Sequence, residues 1–420
     1  MNQPVLARLD HLTFKGNLKT ARYGWLRLTP AYSVHLVAEL LDKHATPGGV
    51  VLDPFCGTGT TALVCSERGI PCDTTDINPF LLWLAKAKTN IYTANELQGF
   101  RTAAARVAEV IRVGASNNEA GWTPPLHQIE KWWSAPVLAT LGRAMTTLRK
   151  LEKSEPEPVM DLLKVAFCRM MIEQANVSFG HQSMSFKKAQ VSPQLMRVST
   201  EGDVVAGSWE RAVAEILLGA TTGTETKPRL ILCDARNLRE RLSASHYGCV
   251  ITSPPYPNRR SYIRELRPYM YWLGYLIDGR AAGELDWQAI GGTWGCATSN
   301  VAKWQPAGDP RPIPFPGFED ILSRIAERSA VLSRYVHKYF HDMAYHCASL
   351  VEVLQPGATV HYIVGNSKFY EVMLPVEEIY ASMFEASGLV DVGIKAIRKR
   401  TSKKELFEFV VSARKPLKRT

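Results

Sequence analysis

The segment Val250-Ile251-Thr252-Ser253-Pro254-Pro255-Tyr256 decides how this chain is organised. Its β-branched start is typical of a buried parallel strand. Because neither proline donates a backbone N–H, the strand is predicted to end at Ser253. Ligands of α/β proteins bind beyond the carboxyl ends of such strands. The Ser253 hydroxyl, the Pro254 carbonyl and the Tyr256 ring therefore predict a pocket for a flat group that carries an amine, with an ordinary strand-ending turn as the alternative.

A second segment, upstream, combines a strand, a glycine turn and a helix start in Val50-Val51-Leu52-Asp53-Pro54-Phe55-Cys56-Gly57-Thr58-Gly59-Thr60-Thr61. Glycines let the backbone approach a ligand closely, and a helix N-terminus offers free N–H groups to an anion. The spacing differs from the G-x-G-x-x-G fingerprint, and no P-loop Gly-Lys-Ser/Thr follows. The pattern favours a nucleoside with a small zwitterionic tail, and a generic strand-turn-helix is the alternative.

Two further strands are predicted to end in a carboxylate. The run Pro71 to Pro79 contains Asp76, which follows the glycines by roughly 20 residues. In nucleotide-binding folds, a carboxylate at this position binds the ribose hydroxyls. The run Pro228 to Arg236 ends in the same way, at Asp234. Both acids are therefore predicted at the same edge of the sheet as the glycine turn.

Composition points to a globular protein with an anionic partner. The chain has 420 residues, 46% of them hydrophobic, and a formal net charge of +10. Length and composition allow a large core, and the charge favours nucleic acid over a membrane surface, although an ordinary basic enzyme is equally compatible. Eight cysteines without metal-ligand spacing predict buried thiols and no metal. No signal peptide or membrane-spanning run is evident, so a cytoplasmic protein is expected.

The middle of the chain is predicted to be a helical insertion. Residues 95–227 hold helix-like segments at Phe100 to Val113, Ile129 to Leu151, Val159 to Gln174 and Trp209 to Leu218, whereas residues 1–94 and 228–420 have α/β texture. Within the insertion, Ser178 to Lys188 mixes polar and basic side chains as a base-reading loop would. Residues 279–317, rich in Gly, Pro and Trp, predict a long mobile loop with a candidate DNA contact.

Two basic segments are candidates for DNA binding. Basic and aromatic residues interleave after the Pro-Pro pair, and a basic hairpin tip lies between the last two predicted strands. An amphipathic helix and a solvated turn are the respective alternatives. The candidate residues are Arg259, Arg260, Tyr262, Arg264, Lys399, Arg400 and Lys403. Separately, Thr29 and Pro30 predict the start of a helix.

Taken together, Asp-Pro-Phe-Cys-Gly-Thr-Gly, the ribose acid and Ser-Pro-Pro-Tyr resemble the S-adenosylmethionine-dependent DNA methyltransferases that modify exocyclic amines, N4 of cytosine or N6 of adenine. The resemblance covers most of residues 17–94 and 228–412. It implies an α/β fold, a doubly wound class I methyltransferase (Rossmann-like) sheet with a large helical insertion. It also implies S-adenosylmethionine as cofactor, double-stranded DNA as partner, base flipping, and a prokaryotic restriction-modification or defence context with a cognate restriction endonuclease as a candidate partner.

The same resemblance assigns roles to residues. The cofactor-binding set is Thr29, Pro30, Asp53, Phe55, Cys56, Gly57, Gly59, Thr60 and Thr61, with Asp76 at the ribose, Asp234 at the adenine, and Ile77 and Ala235 beside them. The catalytic set is Ser253, Pro254, Pro255 and Tyr256. A Ser in first place is typical of the cytosine-N4 branch. The insertion lies between the second and third strands, so the family's usual position for target recognition is not carried over.

Three alternatives stay open beside cytosine-N4 methylation. Adenine-N6 methylation uses the same chemistry, and RNA guanine-N2 methyltransferases have similar motifs. A DNA-binding protein that has kept the fold and lost the activity is a third. Carbon-5 methylation is disfavoured because it needs a cysteine nucleophile beside a proline, and the strand leading to Ser253 has none there.

Overall fold

The computed structural model describes residues 12–17, 21–28, 31–112, 121–178, 185–187, 201–258, 261–293, 296–306, 312–400 and 405–417. Seven strands form one mixed sheet: β1 (Val50–Asp53), β2 (Cys72–Asp76), β3 (Arg229–Leu232), β4 (Tyr247–Thr252), β5 (Leu354–Gly365), β6 (Val390–Lys399) and β7 (Phe407–Arg414). Their order is β3-β2-β1-β4-β5-β7-β6.

The direction of the strands confirms the predicted fold class. Strands β1 to β5 are parallel, and β7 is antiparallel to both of its neighbours. The chain order reverses between β1 and β4, which is where doubly wound sheets bind their ligands. This is the class I methyltransferase arrangement, and it places the carboxyl ends of β1, β2 and β4 at one edge.

Helices of eight or more residues in the described part of the chain are α1 (Val34–His44), α2 (Thr60–Glu67), α3 (Pro79–Thr89), α4 (Ala94–Arg112), α5 (Ala135–Leu151), α6 (Glu157–Glu173), α7 (Glu201–Ala220), α8 (Tyr262–Trp272), α9 (Gly279–Gln288), α10 (Cys296–Lys303), α11 (Phe318–Ala326), α12 (Ala330–Val353) and α13 (Val376–Ala386). Shorter helical turns are Phe14–Asn17, Ala21–Gly24, Ile129–Lys131 and Ala235–Glu240. Two small hairpins pair Val177–Ser178 with Ser185–Phe186, and Ser367–Phe369 with Val372–Leu374.

The first long helix begins later than predicted. Residues 31–33 are not helical, and α1 starts after Ser33, whose Oγ accepts a hydrogen bond from the Leu36 N–H. The predicted start at Thr29 and Pro30 is therefore wrong, and those two residues lie outside the described part. Ser is at least as good an N-cap as Thr, which is consistent with a helix that starts after Ser33.

Helices α4 to α7 form the predicted insertion between β2 and β3. Their core is continuous with helices outside the insertion. The Trp272 ring of α8 packs edge-on against Trp133 at 5.8 Å and Phe167 at 5.3 Å, measured between ring centroids. Phe80 of α3 belongs to the same buried cluster. The insertion thus shares its hydrophobic core with the helices that flank the sheet.

The prediction of a mobile loop over 279–317 is wrong for much of its length, because α9 and α10 occupy part of it. Asp278 caps α9 by accepting from the Ala281 N–H at 2.7 Å. The buried Asp286 carboxylate of α9 accepts from the Ser261 hydroxyl at 2.5 Å, which ties the helix to the start of α8. These tertiary contacts stabilise helix in a glycine-containing segment of low intrinsic propensity.

The predicted state of the cysteines is confirmed for seven of them, which are buried free thiols. The eighth, Cys296, has a side chain outside the described set. No helix among the described residues is long and apolar enough to span a membrane. Within the same residues, no cluster of His, Cys, Asp and Glu has the geometry to hold a metal ion.

Candidate active site

Ser253 follows the last residue of β4, next to β5. Thr252 is paired with Tyr362 in the parallel register, so Ser253 lies beside Ile363. Its hydroxyl oxygen is 3.1 Å from the Ile363 carbonyl oxygen and 3.4 Å from the Tyr256 hydroxyl. A carbonyl only accepts hydrogen bonds, so the Ser253 proton is directed at the protein. The lone pairs of Ser253 Oγ are left for another donor.

Tyr256 is held by Glu408, which the sequence did not assign to the site, and by Arg400, a predicted DNA contact. Its hydroxyl donates to Glu408 Oε1 at 3.0 Å, and Arg398 Nε donates to Glu408 Oε2 at 2.7 Å. The guanidinium of Arg400 lies over the Tyr256 ring, 5.1 Å from its centroid. Burial, and then the charge of Glu408, raise the pKa of Tyr256 well above its ordinary value, so the hydroxyl stays protonated.

The second proline of the pair, Pro255, is also anchored. The Pro255 carbonyl accepts a hydrogen bond of 2.6 Å from the Tyr339 hydroxyl, which lies 2.8 Å from the Tyr380 hydroxyl. The Tyr256 N–H donates to the Tyr262 hydroxyl at 3.4 Å. Tyr262, a predicted DNA contact, thus touches the predicted catalytic segment itself.

The glycine turn has the conformation that its sequence predicts. Gly57 and Gly59 have φ of +51° and +76°, in the left-handed region. Gly59 is the N-cap of α2, and no side chain caps that helix. A Cβ at Gly59 would lie 2.8 Å from the Ala85 Cβ of α3. The first turn of α2 is therefore open to an anionic ligand, as a carboxylate-bearing nucleoside requires.

Asp53 is fully buried and joins the two halves of the site. Its Oδ1 accepts from the Thr252 hydroxyl at 2.6 Å and from the Phe55 N–H at 3.1 Å, and its Oδ2 accepts from the Tyr32 hydroxyl at 3.2 Å. Burial raises the pKa of Asp53 to about 7. The carboxylate thus connects the glycine turn with the residue that precedes Ser253.

Cys56, Thr60 and Thr61, also predicted to contact the cofactor, are buried. The Thr61 hydroxyl contacts the Tyr32 hydroxyl and the Ile251 carbonyl. The side chains of these three residues therefore pack in the protein interior under the glycine turn. A ligand would meet the backbone of this segment.

Asp76 closes the turn from the end of β2. Its Oδ2 accepts from the Gly57 N–H at 3.0 Å and its Oδ1 from the Asn78 N–H at 2.8 Å. Burial raises the pKa of Asp76 to about 6. The predicted ribose acid and the predicted glycine are thus in direct contact.

Asp234 lies at the end of β3 and is engaged by Arg236. The Arg236 Nη2 is 2.6 Å from Asp234 Oδ2, and its Nη1 is 3.2 Å from Asp342 Oδ1. Ala235 is buried and its carbonyl bonds to His346, whose ring meets Phe55 edge-on at 4.8 Å, whereas Ile77 is partly exposed. The predicted adenine end of the site is therefore already lined by charge pairs.

Sequence reasoning also missed Lys88, a buried cation beneath the turn. Its Nζ donates to the Thr58 carbonyl at 3.0 Å, and burial lowers its pKa to about 8. A lysine on an apolar helix such as α3 gives a sequence signal, since unpaired lysines are rarely buried. Its charge favours an anionic group at the glycine turn.

The predicted DNA contacts are partly placed. Arg264 is exposed on α8, and Lys399 is partly exposed at the end of β6. Arg400 is held over Tyr256 by donating to the Asn366 carbonyl at 2.7 Å. Arg259, Arg260 and Lys403 lie outside the described residues, as do 179–184 and 188 of the predicted base-reading loop.

Comparison with known proteins finds a family model that matches part of the chain. Residues 27–87 match the N6/N4 DNA methylase family. The type II methyltransferase M.AvaI of Nostoc sp. is 21% identical over 90% of this chain and 81% of its own length. M.BsoBI of Geobacillus stearothermophilus is 22% identical over 93% and 82%, and M.MvaI of Kocuria varians is 20% identical over 79% and 73%.

Among solved structures, the rRNA methyltransferase aviRa from Streptomyces viridochromogenes aligns with 92% of this chain and 86% of its own. The identity is 14% and the TM-score is 0.28. The fold assignment therefore rests on the strand order and strand directions.

Proposed function

We propose that this chain, of which residues 27–87 match the N6/N4 DNA methylase family and which is similar to type II DNA methyltransferases, methylates the N4 amino group of cytosine in duplex DNA. The observation that carries the proposal is the bond between Thr252 and Asp53, which holds Ser-Pro-Pro-Tyr against the glycine turn. Ser253 in first place favours cytosine over adenine. The net charge of +10 suits a DNA partner.

The Ser253 side supplies acceptors for an amine. The lone pair of a cytosine amino nitrogen is delocalised into the ring, which makes the nitrogen a poor nucleophile. Ser253 Oγ, whose proton is directed at Ile363, and the Pro254 carbonyl accept the two amine hydrogens and favour a pyramidal nitrogen. Tyr256 stacks on the base, which must leave the duplex because the amine is otherwise unreachable. Catalysis is then mainly alignment, and no covalent intermediate is needed.

The glycine side fits S-adenosylmethionine, which supplies a methyl group on a positively charged sulfur. The uncapped start of α2 and the Lys88 charge suit its carboxylate, and the Asp76 carboxylate suits the ribose hydroxyls. Asp234 is assigned to the adenine amine. To bind that amine, the Asp234 carboxylate must either keep Arg236 on part of its surface or be released by it. Thr29 and Pro30 stay predicted cofactor contacts from the resemblance. A cognate restriction endonuclease and a recognition role for the insertion stay predictions too.

The proposal is tested by identifying the product. The protein is incubated with isotope-labelled S-adenosylmethionine and duplex DNA of mixed sequence, the DNA is digested, and the nucleosides are analysed by mass spectrometry. We expect labelled N4-methylcytosine. Labelled N6-methyladenine would move the assignment to the adenine branch, and label only in RNA guanine would refute DNA methylation. An inactive DNA-binding protein would show no cofactor-induced rise in Tm.

Two variants in the same assay separate the halves of the site. Ser253→Ala removes an acceptor of the amine, so kcat should fall by about 10²-fold or more while the Kd for the cofactor stays unchanged. Asp76→Ala removes a charged acceptor, so the cofactor Kd should rise by about tenfold or more. Methylation by Ser253→Ala at the wild-type rate would show that the catalytic assignment is wrong.

A further inference from the structure

We infer that Glu408 is a positioning residue, which orients the hydrogen bonds behind Ser253 so that the Ser253 oxygen presents lone pairs to the target amine. The inference rests on the proposed function. It extends the site to β7, a strand without any motif residue. Glu408 does not reach the substrate itself, because it acts through Tyr256.

The contacts form a chain with one direction. Glu408 is buried, and its two carboxylate oxygens are used by different donors, Arg398 Nε at 2.7 Å and the Tyr256 hydroxyl at 3.0 Å. The Tyr256 oxygen lies 3.4 Å from Ser253 Oγ, and Ser253 Oγ lies 3.1 Å from the Ile363 carbonyl. Glu408 and Tyr256 thus connect the partly buried Arg398 to the predicted catalytic hydroxyl of Ser253.

The direction of the bonds follows from the chemistry of the carboxylate. An ionised carboxylate only accepts, so Tyr256 must spend its single proton on Glu408. Toward Ser253, the Tyr256 oxygen can then only accept. Both protein neighbours of Ser253 Oγ are therefore acceptors, and the Ser253 proton is drawn to the protein side. Its lone pairs point to the pocket.

A glutamine at position 408 removes this control while keeping the size of the side chain. Its amide can donate to the Tyr256 oxygen, which frees the tyrosine proton to bond to Ser253. Ser253 would then accept from Tyr256 while it still donates to Ile363, so one of the lone pairs meant for the amine hydrogens would be occupied. A phenylalanine at position 256 removes the hydroxyl, after which Ser253 still donates to Ile363 and the identity of residue 408 no longer matters.

The experiment is a cycle of four proteins: wild type, Glu408→Gln, Tyr256→Phe and the double variant. We expect Glu408→Gln to lower kcat by about tenfold or more and Tyr256→Phe by less than about threefold. The double variant should return to the rate of Tyr256→Phe. Cofactor Kd, and base flipping followed with 2-aminopurine at the target position, should be unchanged in all four.

Rescue by Tyr256→Phe separates positioning from stability, because deleting a second hydrogen bond does not restore a misfolded protein. The matched control is Asp391→Asn, the same change at an exposed ion pair with Arg414 farther along the same hairpin, which should leave kcat unchanged. Full activity of Glu408→Gln, or a double variant as slow as Glu408→Gln, would overturn the inference and leave the proposed function intact. A wild type that methylates no DNA would overturn both.

Discussion

At the scale of single residues, Asp53 is the predicted cofactor contact whose side chain is most engaged by the protein itself. The motif placed it among the cofactor contacts, and the structure buries it completely between Thr252, Phe55 and Tyr32. Sequence motifs identify which residues gather at a ligand and do not separate those that touch it from those that hold it. That distinction depends on the neighbouring strand, β4, which is almost two hundred residues away in the chain.

Asp53→Asn tests how much the ionisation of this buried acid lowers the free energy of unfolding. Burial raises its folded pKa to about 7 from an ordinary value of 3.8, so the folded state favours the protonated form. The contribution of this protonated form to the free energy of unfolding is fully present below about pH 4. It is lost as pH rises to about 7, and the loss is up to roughly 4 kcal/mol. Asparagine keeps the acceptor for Thr252 and Phe55 and does not ionise.

Urea unfolding of the wild type and of Asp53→Asn, measured from pH 4.5 to 8, should therefore show a smaller loss of stability with pH in the variant. Asp76 contributes a fall of the same sign in both proteins, since its pKa is also raised, to about 6, so the difference between them isolates Asp53. Parallel pH profiles would show that Asp53 is not the titrating group.

The sequence analysis did not predict that Glu408 and Lys88 belong to the site, although each residue interrupts an apolar pattern in the sequence. Glu408 alternates with Phe407 and Phe409 along β7, which puts the charge and the aromatic rings on opposite faces of the sheet. Lys88 interrupts the apolar helix α3. A charge in a buried pattern signals a partner, but only the fold reveals that the partners are Tyr256 and the Thr58 carbonyl.

At the scale of elements, the turn between β1 and α2 was predictable in detail because glycine chemistry is local. Gly59 needs a positive φ and also has α3 against it, with Ala85 Cβ 2.8 Å from where its own Cβ would stand. The first requirement is visible in the sequence, whereas the second is tertiary.

Gly59→Ala should therefore lower the free energy of unfolding by more than the backbone strain alone would, because the new methyl group also meets α3. The matched control is Gly48→Ala, where φ is +73° and nothing lies within 4 Å of the added Cβ. We expect Gly48→Ala to lower the free energy of unfolding by about 1 kcal/mol and Gly59→Ala by roughly 2 to 4 kcal/mol, with a weaker cofactor Kd only in the latter. Equal losses in urea unfolding would mean that α3 yields to the new methyl group.

Helices α9 and α10 show where local prediction failed. Glycine and proline content favoured a loop, but α9 is held by its Asp278 cap and by the bond from Ser261 to the buried Asp286. A contact between two helices cannot be read from the composition of one of them. The strands around the insertion were easier, because β-branched runs ending in Asp76 and Asp234 carry their own signal.

At the scale of the whole molecule, one side chain joins three parts that are distant in sequence. Arg22 is buried, and its five N–H groups donate to five backbone carbonyls. Two belong to the end of α3, Lys88 and Asn90, and three to the end of α7, Gly219, Ala220 and Thr222, at 2.6 to 2.9 Å. The N-terminal segment thereby caps one helix of the sheet layer and one of the insertion.

Arg22→Met should destabilise the entire fold, because methionine fills a similar space and leaves five carbonyls, three in buried bonds and two in partly buried ones, without this donor. We expect a loss of about 3 to 5 kcal/mol in urea unfolding. Arg101→Met, a change at an exposed arginine on α4, is the matched control and should be within about 0.5 kcal/mol of wild type. A wild-type midpoint for Arg22→Met would show that water replaces the guanidinium at both helix ends.

The position of β7 has a consequence for how the protein is made. The strand is synthesised after β5 and β6 and yet lies between them, antiparallel to both. Until the ribosome has produced β7, the hydrogen-bonding edge of β5 is open and β6 has no partner in the sheet. A nascent or truncated chain that stops earlier thus exposes a long apolar edge, which is prone to aggregation and a natural target for chaperones.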